Sequence, residues 1–418
     1  MISVLTGIYG QGTLLLSGVL VARILGVEDR GYLALLVVFP TLCSQLVGLG
    51  FPIAITYQIA ANPNQLTKVV KLAGKTFVLQ ALVIVIVHGI IVWLFLGKHP
   101  DFHRTTAYLT LLVGPTMLAI QYGVAFFQGI GKFYNLNILR ILLTTTYAIM
   151  VLGLFLTETG NLHRVTMVWV ISSIFAGTIA MELVRRLKHP MAETMALDNP
   201  PSQKEMLKFG LKGLLGSTSP MDTFRLDQLV AGLILSPAAL GLYVVGGAFG
   251  TLARLIAQSA SMVAYPTIAN RQDGEAKGRT MWRFFWAVSL VNGFLTIILI
   301  VSVPWLVPLF FGDAFIEAIP LAQILLIGAA LMASRRVLVE CLRGLGQPQV
   351  STFAEISMYP WLFTGGVFLL WNYGVQGLAS GVAIGFGISL VVALGFALGQ
   401  KRGAITFSPR SEIRNSLS

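Results

Sequence analysis

Eight ionisable residues fall inside long apolar stretches of this chain: Asp222, Arg225, Asp227, Arg254, Arg335, Arg336, Glu340 and Glu355. Arginine keeps its charge where water is scarce and presents a planar fork of donors that matches phosphate and carboxylate oxygens. Arg254, Arg335 and Arg336 therefore suit a cationic lining that holds an anionic, for instance phosphorylated, ligand and rejects cations. Asp222 and Asp227 suit a coupling proton or sodium ion, or a cationic ligand. Structural pairing fits some of the same residues: Asp222 and Arg225 stand at i,i+3, and Arg336 and Glu340 at i,i+4, on one face of a helix. Arg254 and Arg335 have no obvious local partner. Arg335 lies some seven residues before the expected end of its apolar segment, roughly 10 Å deep at 1.5 Å per residue.

The segments that must position these side chains follow from composition. With 56% hydrophobic and 11% charged residues and a mean hydropathy of +0.79, the 418-residue chain cannot be a soluble domain, since soluble proteins are about a quarter charged. Apolar runs near 20 residues mark crossings of a bilayer roughly 30 Å thick. Twelve spans are expected, at about 3–25, 32–58, 76–97, 106–128, 136–156, 164–185, 208–234, 239–264, 283–311, 318–342, 351–372 and 375–398. The formal charge of +12 does not indicate nucleic acid. With the amino terminus inside, twenty of the 29 Lys and Arg residues fall in cytoplasmic segments and five, Arg30 among them, in outer loops. That is the positive-inside pattern, with both termini cytoplasmic. No charged segment precedes the first apolar run, so no cleavable signal is expected.

The chain repeats itself. Ile24-Leu25 and Gly31-Tyr32 return 210 positions on, as Ile234-Leu235 and Gly241, with Tyr243 close behind. Gln128-Gly129-Ile130-Gly131-Lys132 returns 215 positions on as Arg343-Gly344-Leu345-Gly346-Gln347. In a polytopic membrane protein such a repeat implies two homologous bundles around a central pathway. The expected organisation is an amino-terminal six-helix lobe (1–187), a cytoplasmic linker (188–207) with Pro190, Pro200 and Pro201, a carboxy-terminal six-helix lobe (208–400) and a basic tail (401–418). Under the repeat Arg254 matches Ser44, so this cation is an asymmetric addition to the scaffold.

Other chemistry is excluded. Gly74-Lys75-Thr76 lacks the earlier glycine and preceding strand of a phosphate-binding loop. There is no HExxH, no GxSxG and no His/Cys cluster, so neither a metal nor another cofactor is expected. Cys43 and Cys341 read as packing residues, and His88, alone in an apolar run, as a packed side chain. A membrane glycan polymerase normally carries a sizeable outer loop over its acceptor, and the outer loops here are short, so the reading is of a protein that is not an enzyme.

Three stretches carry a family resemblance. They are Ala22-Arg23-Ile24-Leu25-Gly26 with Arg30-Gly31-Tyr32; Arg225-Leu226-Asp227-Gln228 leading to Leu235-Ser236-Pro237-Ala238-Ala239-Leu240-Gly241-Leu242-Tyr243; and the two Gly-x-Gly turns. Over about residues 1–400 the chain resembles the oligosaccharide (O-antigen, Wzx-type) flippases of the multidrug/oligosaccharidyl-lipid/polysaccharide exporter superfamily. The resemblance implies an all-α, MATE-like fold of two six-helix lobes around a central cavity, in the bacterial inner membrane. It also implies alternating-access movement of undecaprenyl-diphosphate-linked oligosaccharide, for polymers such as lipopolysaccharide, with Arg254, Arg335 and Arg336 facing the diphosphate. A lipid-linked oligosaccharide, membrane lipids, a polysaccharide polymerase and chain-length machinery are the partners implied. A multidrug antiporter of the same fold, relying on Asp222 and Asp227, and a lipid II flippase remain alternatives. Family members carry extra residues before the first span, and this chain departs from them there.

Overall fold

In a bilayer every backbone N–H and C=O must find a partner within the protein, which leaves helices as the economical way to cross. The computed structural model describes residues 2–98, 102, 104–187, 202–217, 225–269, 273–347 and 349–401, and the regular structure among them is helical. Two compact units result, residues 1–241 and 242–418.

The first unit contains α1 (Ile2–Gly48), α2 (Phe51–Ala61), α3 (Leu66–Lys98), the short α4 (Arg104–Leu109), α5 (Val113–Gly129), α6 (Phe133–Leu156), α7 (Leu162–Arg185), α8 (Gln203–Ser217) and α9 (Leu226–Ile234). The boundary falls within α10 (Pro237–Ala248). The second unit continues with α11 (Gly250–Ala269), α12 (Gly274–Phe311), α13 (Ala318–Gly344), α14 (Gln349–Ile356), α15 (Met358–Trp361), a π turn at Leu362–Gly366 and α16 (Val367–Lys401). Caps start several helices. Ser202 and Glu205 bond reciprocally to each other's backbone N–H (3.2 and 2.9 Å), the capping box that opens α8. Asn161 and Asp273 cap α7 and α12.

Among the described residues, eight helices are long and apolar enough to cross a membrane, or nine if the bent pair Pro237–Ala248 and Ala253–Ala269 is one span, against the twelve expected. The difference has a local cause. α1 and α16 each join two expected spans through a single non-helical glycine, Gly26 (φ 70°, ψ −171°) and Gly374 (φ 56°, ψ −136°). Both lie in the left-handed region that glycine enters without a Cβ penalty, and both fall at or next to the expected gaps between spans. The expected second span is interrupted at Leu49 and Gly50, where φ is again positive (48° and 66°). The expected seventh span lies partly outside the described residues, as does most of the expected 188–207 linker.

The internal repeat exists in three dimensions. After α5, Lys132 N–H reaches Phe127 C=O at 2.9 Å and Gly131 N–H reaches Gln128 C=O at 3.2 Å. After α13, Gln347 N–H reaches Leu342 C=O and Gly346 N–H reaches Arg343 C=O, both at 3.0 Å. These are the same four positions shifted by 215, with Gly131 (φ 73°) and Gly346 (φ 86°) in the left-handed conformation that closes a helix this way. The neighbouring contacts repeat too. A Cβ on Gly129 would meet Ile59 and the Thr56 carbonyl at 2.9 and 3.1 Å, and one on Gly344 would meet the Tyr265 carbonyl and Ile268 at 3.0 and 3.1 Å. Thus α5 crosses α2 in one unit as α13 crosses α11 in the other.

Two further glycine contacts explain why the first unit reaches residue 241. Gly50 and Gly210 are so close that a Cβ on either would strike the other's backbone, which docks α8 on α2. Likewise a Cβ on Gly31 would strike the Pro237 carbonyl, and one on Gly241 would strike the Val27 carbonyl. This last crossing is reciprocal at an offset of 210, so the repeated motif packs against its own copy. We expect Gly31→Val and Gly241→Val each to destabilise the protein by about 1–3 kcal/mol, the usual cost of overpacking where backbone cannot yield. Gly153→Ala, with open space around it, is the control. Thermal unfolding in detergent reads this directly, and a wild-type melting temperature in Gly31→Val would refute the close crossing.

The cores lie between helices and the apolar residue on the outside faces lipid. Phe51, Ile55, Ile59, Leu118 and Phe126 are buried in the first unit, and Ile268, Val337, Leu338, Cys341 and Leu342 in the second. Trp286, Leu290, Phe294, Ile297, Val301 and Trp305 form an exposed stripe along α12, at the three- and four-residue spacing of one helix face. Gln80, one of two polar interruptions in the third expected span, donates to the Val47 and Gly48 carbonyls (2.8 and 3.2 Å) and accepts from Tyr122, so it finishes the end of α1.

Candidate functional site

In the second unit, α13 presents Arg335 and Arg336 on adjacent faces. Arg335 is 5% exposed. Its Nη1 donates to Glu355 Oε1 on α14 at 2.5 Å and to Ser389 Oγ on α16 at 3.4 Å. Ser389 in turn donates to the Ala354 carbonyl. The partner of Arg335 is not local: it stands twenty residues on, supplied by a helix that packs across α13. The structural pairing that the spacing allows between Arg336 and Glu340 does not form, because Glu340 accepts from Arg343 at 2.8 Å, an i,i+3 contact one turn nearer the helix end. A cation there also suits the partial negative charge of the helix terminus. Arg336 is half-buried, as is Arg254 on α11.

In the first unit, Arg225 immediately precedes α9 with φ 47° and ψ 47°, a left-handed conformation uncommon outside glycine. Its side chain is exposed and donates to Gln228 Oε1 at 3.4 Å. Asp227 lies half-buried in the first turn of α9, where a carboxylate is favoured by the helix dipole. Asp222 lies outside the described residues, so its pairing with Arg225 does too.

Sequence reading missed Arg30. Assigned to an outer loop, it instead lies within α1 beyond the Gly26 break, with its Nε buried and without a hydrogen-bond partner. One signal was available. At the repeat offset of 210, Arg30 corresponds to Leu240, which is 0% exposed. A cation replacing a core leucine is the same kind of asymmetric addition that singled out Arg254. Of the expected site residues, the fold thus joins Arg335 to Glu355.

Comparisons with known proteins agree with this architecture. A sequence model of the family described as polysaccharide biosynthesis protein matches residues 1–272. Solved structures share the fold. An inward-facing multidrug resistance MATE family transporter of the MOP superfamily superposes with a TM-score of 0.72 at 14% identity, covering 95% of each chain. The lipid II flippase MurJ, in an inward closed conformation, gives 0.66 at 13% identity over 95% of this chain and 87% of its own. A MATE protein in complex with MaD3S gives 0.60 at 15% identity over 96% and 95%. Among curated proteins no sequence matches. At these identities the structural likeness speaks for the fold.

Proposed function

Since the chain belongs to the polysaccharide biosynthesis protein family, as a multi-pass membrane transporter and not an enzyme, we propose that it flips undecaprenyl-diphosphate-linked oligosaccharide across the bacterial inner membrane by alternating access. Reading each broken helix as two crossings, the bent pair as one and 208–234 as one gives the twelve spans of this proposal, in lobes 1–187 and 208–400 with both termini cytoplasmic. Arg254 and Arg336 are the residues assigned to the diphosphate. The polyprenyl tail stays in lipid and the glycan occupies the aqueous pathway. A polysaccharide polymerase and chain-length machinery would take the product at the outer face.

The observation that carries this reading is cationic charge kept inside apolar helices of a polysaccharide-biosynthesis family member. Each intramembrane arginine costs about 2.5–3.5 kcal/mol on insertion scales. With Glu340 engaged by Arg343, an anionic substrate is the natural counter-charge for Arg336. A transporter of cationic drugs would have the opposite lining, carboxylates and aromatics. The test is complementation of a bacterium lacking its own glycan flippase, using strains whose glycans match and scoring surface polymer at equal expression. Restored polymer is the expected result. Drug efflux with no polymer in any matched strain would move the assignment to a multidrug antiporter relying on Asp227.

A further inference from the structure

We propose that a groove on the lipid-facing side of the first unit, between α3, α5 and α7, seats one acyl chain of an anionic phospholipid, with Arg185 holding the phosphate. Small residues set the helix contacts that shape it. A Cβ on Gly114 of α5 would overlap Ile84 of α3, and one on Gly177 of α7 would meet Thr116 of α5 at 3.0 Å. The helix α5 is thus the floor between two rims. The cavity measures about 260 Å³, with Phe77 on the α3 rim, Pro115, Thr116 and Ala119 on the floor, and Thr178 and Met181 on the α7 rim. It is smaller than the pockets that take drug-sized ligands and suits a length of hydrocarbon chain.

The hydroxyls on this surface are already engaged. Thr116 Oγ1 lies 2.9 Å from the Val113 carbonyl and 2.9 Å from Ser173 Oγ, and Thr178 Oγ1 donates to the Ile174 carbonyl at 2.7 Å. The groove therefore offers a ligand apolar walls. Its surroundings match: Val78, Leu82 and Ile86 are exposed along α3, and Ile171, Ile174 and Phe175 along α7, rows as apolar as the lipid tails they face. Charge enters at the end of α7, where Glu182 and Arg185 complete the lining. Glu182 is engaged by Arg186 at 2.7 Å, and among the described residues the Arg185 side chain makes no hydrogen bond. Lys75, exposed two residues before Phe77, adds a cation on α3. Three cations against one carboxylate leave this end positive. A guanidinium at the head of an apolar slot complements a phosphate above an acyl chain, and basic sites between transmembrane helices recognise lipid headgroups in this way.

The experiment uses the full chain in detergent, with native mass spectrometry to count bound lipid as phosphatidylglycerol, or phosphatidylcholine with the same acyl chains, is added. Phosphatidylglycerol is expected to bind about fivefold more tightly, the effect of one cation at a lipid surface. Arg185→Gln should abolish that preference, and Glu182→Gln, which removes the competing carboxylate, should increase it. Thr178→Phe fills the groove from an exposed position and should weaken both lipids by about tenfold. Arg279→Gln, exposed on α12 in the other unit, should bind as wild type and so separates this site from a general effect of surface charge. Equal affinity of wild type for the two lipids, or a preference that survives Arg185→Gln, overturns the proposal. Binding of both lipids unchanged in Thr178→Phe does the same. Undecaprenyl phosphate displacing phosphatidylglycerol at equal concentration would make the groove a seat for the polyprenyl carrier and overturn the phospholipid assignment.

Discussion

Arg335→Met is expected to destabilise the protein by about 3–5 kcal/mol, whereas Arg335→Met combined with Glu355→Met recovers most of that loss. The reasoning rests on burial. The two side chains are 6% and 14% exposed and their charged atoms are 2.5 Å apart. Removing one partner leaves the other charge buried without its counter-ion, which costs about 3–5 kcal/mol; replacing both with apolar residues of similar volume is often neutral or stabilising. Ser389, which accepts from Arg335 and donates to Ala354, keeps its second bond in both variants. Thermal unfolding in detergent, with wild type, both single variants and the double, supplies the four corners of the cycle. Additive losses would mean that the pair does not couple α13 to α14. Surface polymer scored in the double variant then sorts the role of Arg335. Transport restored along with stability makes it a positioning residue, while a stable but inactive double variant makes it a substrate contact.

The second large effect concerns Arg254 and Arg336. If both hold the diphosphate, each contributes a charge-assisted bond of about 1.5–3 kcal/mol, so Arg254→Ala and Arg336→Ala should each slow polymer export by roughly ten- to a hundredfold at 1.4 kcal/mol per decade. Lysine at either position should recover part of the activity, since a point charge replaces some of the attraction but not the bidentate geometry. Stability should change little, because both side chains are only half-buried. The measurement is surface polymer per unit of folded protein in the complemented strain. Wild-type polymer in both alanine variants would leave the flippase assignment intact and remove these residues from its mechanism.

Several structural features were legible in the residues. The Gly-x-Gly echo marked two turns with the same hydrogen bonds 215 positions apart, because helix termination is a local affair of a few residues and one positive φ. The gaps between expected spans anticipated the breaks at Gly26 and Gly374 for the same reason. The Gly31 and Gly241 echo indicated a repeat but not that the two copies touch. Whether Arg336 pairs with Glu340 was left open by the sequence, because spacing admits a second choice, Arg343, and only rotamers and packing choose between them.

The sequence by itself determined a helical, multi-pass membrane protein with an internal repeat and an unusual store of buried charge. Those are properties of composition and of neighbours within a turn or two. Which charges neutralise one another was decided by the tertiary structure. Arg335 meets a glutamate twenty residues away, and Glu340 takes Arg343 rather than Arg336. The physical reason is that an ion pair in a low-dielectric interior depends on angstroms of separation and on complete desolvation. Both are set by how helices cross, and the close glycine contacts that fix those crossings join segments up to 210 residues apart.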